Sequence, residues 1–303
     1  MQLQSSLHQV LQRKGYQQVV TRCLQAEAGT DPHVEPFHLH YEPAMDQRAE
    51  KGELFLHTSP EFDMKRLICR GMKDIYQIGP VFRQGELSEY HTPEFTMAEW
   101  YRTGWTWTEL MEEVESLVVE LLGDSILFKG RTIKLATPFP RVEVIHALQE
   151  AGVDTLQWQK LAPPDYAEAF YQAVVEKLQP WLDLKGPLFL TGFPAPLALL
   201  AELQDKEPML SQRFELFIAG VELANGCTEL TDPAEHKKRF QEDTAIRKRL
   251  GKNPLPFPQK LYDDIKEFGL PPCAGVALGE DRLAMLATGA ENIEQVQALP
   301  FAD

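Results

Sequence analysis

Residues 81–102 constrain the fold of this chain more tightly than any other segment. Ile75 to Arg83 reads as an apolar strand with an arginine at its end, and Pro93 to Arg102 reads as its partner across a polar loop. Alternation along an extended chain puts Phe95, Met97, Glu99 and Tyr101 on one face. Glu94, Thr96, Ala98, Trp100 and Arg102 fall on the other. A strand buried for structure alone carries aliphatic residues on its inner face. A ring, a carboxylate and a phenol there predict the wall of a pocket for something planar and something charged.

Hairpin-linked strands with irregularly placed helices continue along the chain. Leu3, Leu7, Val10 and Leu11 recur at helical spacing, and Gly15 ends that opening helix. Tyr16 to Leu24 reads as one strand, residues 53–60 as another stopped by Pro60, and Glu61 to Arg70 as a helix. Thr106 and Glu109 form a capping box ahead of Leu110, Val114, Leu117, Val118 and Leu121, which predicts an amphipathic helix up to Gly123. Residues 137–186 are helical in pattern and punctuated by Trp and Pro, without nameable chemistry. Leu188 to Phe193 reads as a short strand, Arg213 to Leu223 as a long one, and 233–250 as a charged helix. A strand at Cys273 feeds a last helix ending at Gly289. The pattern predicts an α+β fold, an antiparallel sheet flanked by helices, in one domain.

Composition narrows the chemistry. The 303 residues carry 30 Lys and Arg against 45 Asp and Glu, a net charge of −15. Phosphate attraction dominates nucleic-acid affinity, so this balance disfavours extensive RNA binding, and a tRNA partner is not expected. Cys23, Cys69, Cys227 and Cys273 form no Cys-x-x-Cys pair, so neither a zinc site nor a disulfide framework is expected. The first residues lack the features of a signal peptide, and no apolar run approaches the roughly 20 residues of a membrane helix. A reduced, cytoplasmic protein is expected, without membrane association. A P-loop is absent, which excludes that nucleotide fold.

Three further segments carry candidate chemistry. Glu222 and Glu229 stand seven positions apart and in an unbroken strand face opposite sides. Asn225-Gly226 is a turn or bulge signal, and one inserted residue brings both carboxylates onto one face. Converging carboxylates suit a Mg²⁺ that bridges phosphates; a hairpin turn with two solvated glutamates fits the same residues. Arg282 lies in the first turn of the last helix, where a cation opposes the helix dipole. Either Glu280 and Asp281 offset it, or it faces an anion bound at the helix end. Ser59 precedes a helix as an N-cap does.

The whole of 81–102 resembles motif 2 of the class II aminoacyl-tRNA synthetases, in their lysyl branch. That resemblance implies that Arg83 grips the α-phosphate of ATP and that Phe95 stacks on adenine. Gly220 to Leu230 resembles the lysyl-type Glu-Leu-Ala-Asn-Gly-x-x-Glu-Leu stretch. It implies that Glu222 and Leu223 border the nucleotide, and that Asn225 and Glu229 face the amino acid, with Glu222 and Glu229 as the metal candidates. Gly275 to Arg282 resembles motif 3, whose arginine, Arg282 here, binds the γ-phosphate and covers adenine opposite Phe95, a cation–π geometry. His91, Thr92, Glu86 and Gly279 complete the expected nucleotide contacts. Ser59, Pro60, Glu61, Tyr101 and Ala277 join the amino-acid side, where Glu61 and Glu229 supply the acid that a diamine requires. The implied cofactors are ATP and Mg²⁺.

The three motifs run from near residue 16 to residue 289, and the expectation is a single catalytic domain over 1–303 without an N-terminal anticodon-binding OB domain. The chain accordingly resembles the elongation factor P–(R)-β-lysine ligase family. These paralogues of the lysyl-tRNA synthetase core activate (R)-β-lysine and transfer it to a lysine of elongation factor P. Ala277 stands where lysyl-tRNA synthetases have glycine. Arg22 replaces the usual motif 1 proline, in the motif that implies a homodimer. Gly85 replaces the usual ATP-contacting glutamate, with Glu86 as its substitute; Thr92 replaces an asparagine, and Phe193-Pro-Ala-Pro-Leu197 a polar Phe-Pro-Ala-Ser-Gln. Two other readings stand beside this one. A free-standing lysyl-like synthetase uses another acceptor, served by the basic run Lys237-Lys238-Arg239 and Arg247-Lys248-Arg249. A non-catalytic paralogue acts as a binding module, against which the retained Arg83, Phe95, Glu222, Glu229 and Arg282 argue.

Overall fold

The structure is a computed structural model, and it describes residues 2–42, 52–207 and 209–301. In chain order the strands are β1 (Gln17–Gln18), β2 (Leu24–Gln25), β3 (His38–Tyr41), β4 (Gly52–Leu56), β5 (Ile75–Phe82), β6 (Glu94–Thr103) and β7 (Ser125–Phe128). They continue with β8 (Arg131–Lys134), β9 (Arg141–Glu143), β10 (Pro187–Thr191), β11 (Arg213–Ile218), β12 (Val221–Thr228) and β13 (Cys273–Gly279). The helices are α1 (Gln2–Arg13), α2 (Glu61–Cys69), α3 (Trp107–Leu122), α4 (Val144–Glu150) and α5 (Pro163–Ala173). After them come α6 (Gln179–Leu182), α7 (Pro233–Arg249), α8 (Gln259–Phe268) and α9 (Glu280–Thr288).

An eight-stranded sheet in the order β1-β5-β6-β13-β12-β11-β10-β9 organises the chain. From β5 to β10 every neighbouring pair is antiparallel, while the two edge pairs, β1 with β5 and β10 with β9, are parallel. The expected antiparallel α+β sheet is therefore present, with parallel edges. Parallel neighbours need a crossover, and α4 to α6 supply it between β9 and β10.

One face of the sheet is a hydrophobic core. Trp100, Ala98, Val276, Leu278, Phe214 and Leu216 pack there against Leu7 and Leu11 of α1 and Leu110, Val114 and Leu117 of α3. The α3 capping box forms as expected, with the Thr106 amide donating to Glu109 at 3.0 Å, and the helix stops at Gly123, φ +79°. Residues 137–186 build a satellite core, in which Val144, Leu148, Phe170 and Leu182 cover Leu188, Leu190 and Phe193. Behind the opposite face, Phe62 and Ile68 of α2 meet Phe240 of α7 and Leu261 and Ile265 of α8.

Two strands differ from expectation. Tyr16 to Leu24 is interrupted: β1 and β2 hold two residues each, because the Thr21 amide donates to the Gln77 side chain at 2.6 Å rather than to a ladder. Arg213 to Leu223 is two strands. Ala219 and Gly220, at φ +50° and +82°, turn β11 directly into β12, the left-handed pair that a tight hairpin demands. A Cβ on Gly220 would meet Asp183 Oδ1 at 1.9 Å, so only glycine fits there.

A bulge then sets the faces of β12. Leu216 opposes Ala224 and Phe217 opposes Glu222, which leaves Leu223 unmatched. The bulge thus sits at Leu223, not at Asn225-Gly226. It turns Glu222 onto the face of Asn225 and Cys227 while the Leu223 side chain joins the core. Gly226 is a packing glycine, since a Cβ there would lie 2.6 Å from the Phe214 ring and 2.9 Å from the Gly275 carbonyl.

Candidate active site

The face of the sheet turned away from α1 and α3 floors a cleft of about 510 Å³. Strand register lines up two rows across it. Glu99, Ala277, Asn225 and Glu215 lie side by side on β6, β13, β12 and β11. Beside them run Tyr101, Gly275, Cys227 and Arg213. The alternation expected of β6 holds: Phe95, Met97, Glu99 and Tyr101 line the cleft, and Ala98 and Trp100 fill the core.

Arginines govern one end. Arg83 leaves β5 with its guanidinium 5.3 Å from the Phe95 ring centroid, and its Nε donates to the Thr58 carbonyl at 3.2 Å. Gly85 has φ +84°, a conformation that a glutamate resists and glycine accepts. The turn presents Glu86 instead, 3.8 Å from Arg83. Burial raises the Glu86 pKa against the pull of Arg83 and Arg282. Arg282, at the start of α9, donates through Nη1 to the Glu222 carbonyl at 2.8 Å and through Nε to the Tyr90 carbonyl at 3.2 Å. Its guanidinium also lies 3.7 Å from the Glu222 carboxylate. The cation over Phe95 is therefore Arg83, whereas Arg282 is tied to Glu222 and Tyr90. Burial, reinforced by Arg282, pushes the His91 pKa down to about 4, so the imidazole is neutral. Thr92, Leu223 and Gly279 line the same end.

Carboxylates govern the other end. Glu99 is buried and accepts from Ser59 Oγ at 2.8 Å and from the Tyr101 hydroxyl at 2.6 Å. Burial, then repulsion from Glu61, pushes its carboxyl up to about 8. Ser59 Oγ also accepts from the Glu61 amide at 3.0 Å; it lies one residue before the N-cap, Pro60, rather than at the cap as expected, and it takes the first amide of α2 while lining the cleft. Lys65, fully buried, sits 2.6 Å from Glu61 Oε1 and 2.6 Å from Glu229 Oε2. Burial opposes its charge, yet Glu229 and Glu61 outweigh burial and hold its pKa well above the ordinary lysine range. Burial pushes Glu229 up to about 7 against the pull of Lys65. Gly275 makes this meeting possible: a Cβ there would lie 2.3 Å from the Tyr101 ring and 2.4 Å from Glu229 Oε1. Pro60 stands at the N-cap of α2 and does not line the cleft, contrary to the sequence expectation.

Glu222 and Glu229 do not converge on one point. Seven residues of strand at about 3.3 Å each separate them by roughly 20 Å, and Glu229 is engaged by Lys65. The neighbour of Glu222 is Glu215, whose carboxyl burial pushes up to about 7, with Arg213 opposing and Glu222 adding repulsion. Asn225 donates to Glu215 at 3.3 Å. No cage of three or more metal-ligating side chains exists among the described residues. Arg213 and Asn225 engage one oxygen of Glu215, which leaves its second oxygen and the partly exposed Glu222 carboxylate for Mg²⁺, an ion that keeps several waters.

Glu215, Lys65 and Glu99 thus enter the site although sequence reasoning did not assign them. Glu99 had a signal, its place on the Phe95 and Tyr101 face; Glu215 and Lys65 become visible only through strand register and helix packing. The basic run on α7 is largely engaged within the fold. Lys238 pairs with Glu235, Arg239 with backbone carbonyls, Arg247 with Glu35 at 2.9 Å and Arg249 with Asp165.

No helix among the described residues is long and apolar enough to cross a membrane. Comparison with known proteins agrees with the cleft. Residues 1–303 match the family described as tRNA synthetases class II (D, K and N). A protein of Hamiltonella defensa is 34% identical over 97% of this chain and 91% of its own length. One from Vibrio cholerae is 39% identical over 84% and 79%, and one from Proteus mirabilis 36% identical over 98% and 92%. Each is named elongation factor P--(R)-beta-lysine ligase. With a class II sheet, arginines at one end of its cleft and paired carboxylates at the other, the chain belongs to the class II tRNA synthetases and, within them, to the elongation factor P--(R)-beta-lysine ligase family.

Proposed function

We propose that this protein uses ATP to activate (R)-β-lysine, or lysine, as an aminoacyl-adenylate and transfers the aminoacyl group to a lysine side chain of elongation factor P. The observation that carries this reading is the polarity of the cleft. Arg83 and Arg282 mark an end for phosphates, with Phe95 for a base, and Glu61, Glu99 and Glu229 mark an end for amines. Lys65 offsets one of these three carboxylates. A net of two negative charges remains when all are ionised, matched to a substrate with two ammonium groups. The relatives' names support the acceptor.

In this reading the substrate carboxylate attacks the α-phosphorus of ATP and the bond to the pyrophosphate oxygen breaks. The attacking group is already ionised, so this step needs no protein base. Arg83 stabilises charge at the α-phosphate and Arg282 holds the departing pyrophosphate, both preorganised by backbone carbonyls. Glu222 and Glu215 are the residues that would hold Mg²⁺; when bound, the ion neutralises phosphate charge. Neutral His91 and Thr92 flank the nucleotide, and Glu86 takes the part of the missing glutamate. Ser59, Tyr101, Asn225 and Ala277 shape the amino-acid side. In the second step the acceptor amine, having lost a proton, attacks the adenylate carbonyl and AMP leaves.

The chain acts as one catalytic domain, because its satellite cores pack on one continuous sheet, and it forms a homodimer through the motif 1 region. The test is ATP–pyrophosphate exchange with (R)-β-lysine and with lysine, followed by mass measurement of elongation factor P incubated with enzyme, ATP and the amino acid. Exchange plus a mass gain of one aminoacyl group is expected. Absence of exchange with both amino acids overturns the reading.

A further inference from the structure

The mechanism leaves aside two features of the sequence, the basic run on α7 and the apolar segment that begins at Phe193. They meet in the fold. Arg239 has a side chain only 11% exposed, and its Nη1 donates to the carbonyls of Leu199 at 2.7 Å and Ala201 at 2.6 Å. Its Nε donates to Glu235 at 3.2 Å, which fixes the guanidinium on its own helix. Arg213 donates to the Leu197 carbonyl at 3.0 Å, and the Leu230 amide donates to the Leu200 carbonyl at 2.9 Å. Four carbonyls in five residues are thus held by two arginines and one amide.

What they hold is strained. Leu199 has φ +51°, a left-handed conformation that disfavours residues with a Cβ and persists only where the surroundings impose it. Residues 198–201 line the cleft, and Ala201 forms a β-bridge with Glu229 at its carboxylate end. No side chain among Ala198, Leu199, Leu200 and Ala201 donates or accepts a hydrogen bond. The carboxylates opposite them read ammonium groups; this wall offers contact only to hydrocarbon.

The geometry points to residues 198–201 as the selectivity wall of the amino-acid end, contacting the methylene chain between the substrate's amines, with Arg239 as the residue that positions it. This inference rests on the function proposed above. The carboxylates set which charges bind, and the pinned backbone sets the length and shape of the chain between them. Small displacements of such a wall weaken a substrate's fit without touching the nucleotide.

The experiment is ATP–pyrophosphate exchange by the full-length protein with (R)-β-lysine, lysine and ornithine, which has one methylene fewer than lysine. Arg239→Met is expected to raise the KM of the preferred amino acid about tenfold, to change the KM of ATP less than about twofold, and to shrink the preference over ornithine about tenfold. Arg239→Lys keeps a donor within reach of both carbonyls and is expected to recover most of the selectivity. Leu199→Gly, which accepts the same φ, is expected to lose selectivity with Arg239 intact, and it serves if Arg239→Met fails to fold. Wild-type exchange with unchanged selectivity in both variants overturns this inference alone. An equal rise in the KM of ATP assigns Arg239 a general structural role and also overturns it. No exchange by the wild type with any diamino acid overturns the parent reading, and this one with it.

Discussion

The ammonium of Lys65 lies 2.6 Å from Glu229 Oε2 in the floor of the cleft, with neither side chain reaching solvent. Glu61, at the same distance on the other side and with its side chain 33% exposed, completes the triad. Breaking a buried ion pair by removing one partner leaves an uncompensated charge, which costs about 3–5 kcal/mol. Lys65→Met is therefore expected to destabilise the protein by about that much in urea unfolding. The double variant Lys65→Met/Glu229→Gln removes the orphaned carboxylate and is expected to regain part of the loss. A single variant as stable as wild type would show that the triad carries no such charge.

Gly275 stands where β13 passes beneath Tyr101 and Glu229. A methyl group at this position would lie 2.3 Å from the Tyr101 ring. Gly275→Ala is expected to displace both side chains and to raise the KM of the amino acid at least about tenfold while the KM of ATP is nearly unchanged. Steady-state exchange kinetics in both substrates check this. Equal effects on both would place the damage in the sheet as a whole.

The pH dependence follows from the raised carboxyls. Glu99 is pushed up to about 8 and Glu229 to about 7, each chiefly by burial. A carboxyl whose pKa is higher folded than unfolded contributes stability that is fully present below the unfolded value, about 4.3, and lost as pH rises through the folded one. The free protein is thus expected to lose stability between about pH 4.5 and 8. Binding of a doubly protonated amine favours ionised Glu99, so the KM of the amino acid should fall as pH rises from about 6 to 8. Glu99→Gln should abolish the upper part of that dependence, measurable in exchange assays across this range. An unchanged profile would remove Glu99 from the binding site.

Metal dependence separates the three glutamates on and beside β12. Glu222→Gln and Glu215→Gln are expected to raise the Mg²⁺ concentration for half-maximal exchange about tenfold or more. Glu229→Gln is expected to raise the KM of the amino acid and leave the Mg²⁺ midpoint in place. If Glu229→Gln shifts the metal midpoint and Glu215→Gln does not, the pairing of Glu215 with Glu222 is wrong.

Much of this was legible in the chain itself. Period-two alternation assigned the faces of β6 correctly, because a strand's side chains obey that rule without reference to the rest of the fold. The capping box and apolar spacing placed α3 for the same local reason. The bulge that turns Glu222 was foreseen in kind but misplaced, since Asn225-Gly226 resembles a turn. The residue left unmatched is Leu223, and only the pairing with Leu216 and Phe217 reveals it. The turn at Ala219-Gly220 carries a weak local signal because alanine rarely adopts positive φ.

The sequence by itself determined the class of fold, the family and the arginine and aromatic end of the cleft, because those residues sit within one hairpin and one strand–helix junction. Tertiary structure alone decided which acids share a point in space. Glu99, Glu215 and Lys65 come from β6, β11 and α2, and their roles depend on register, on burial that opposes their charge and on the charged neighbours that offset it. Contacts between residues far apart in sequence leave no periodic trace in the chain. That is why Glu99 and Lys65 at the carboxylate end of the cleft, and the 198–201 segment that Arg239 holds beside it, emerged only with the packed structure, although the resemblance already points to Glu61 and Glu229 there.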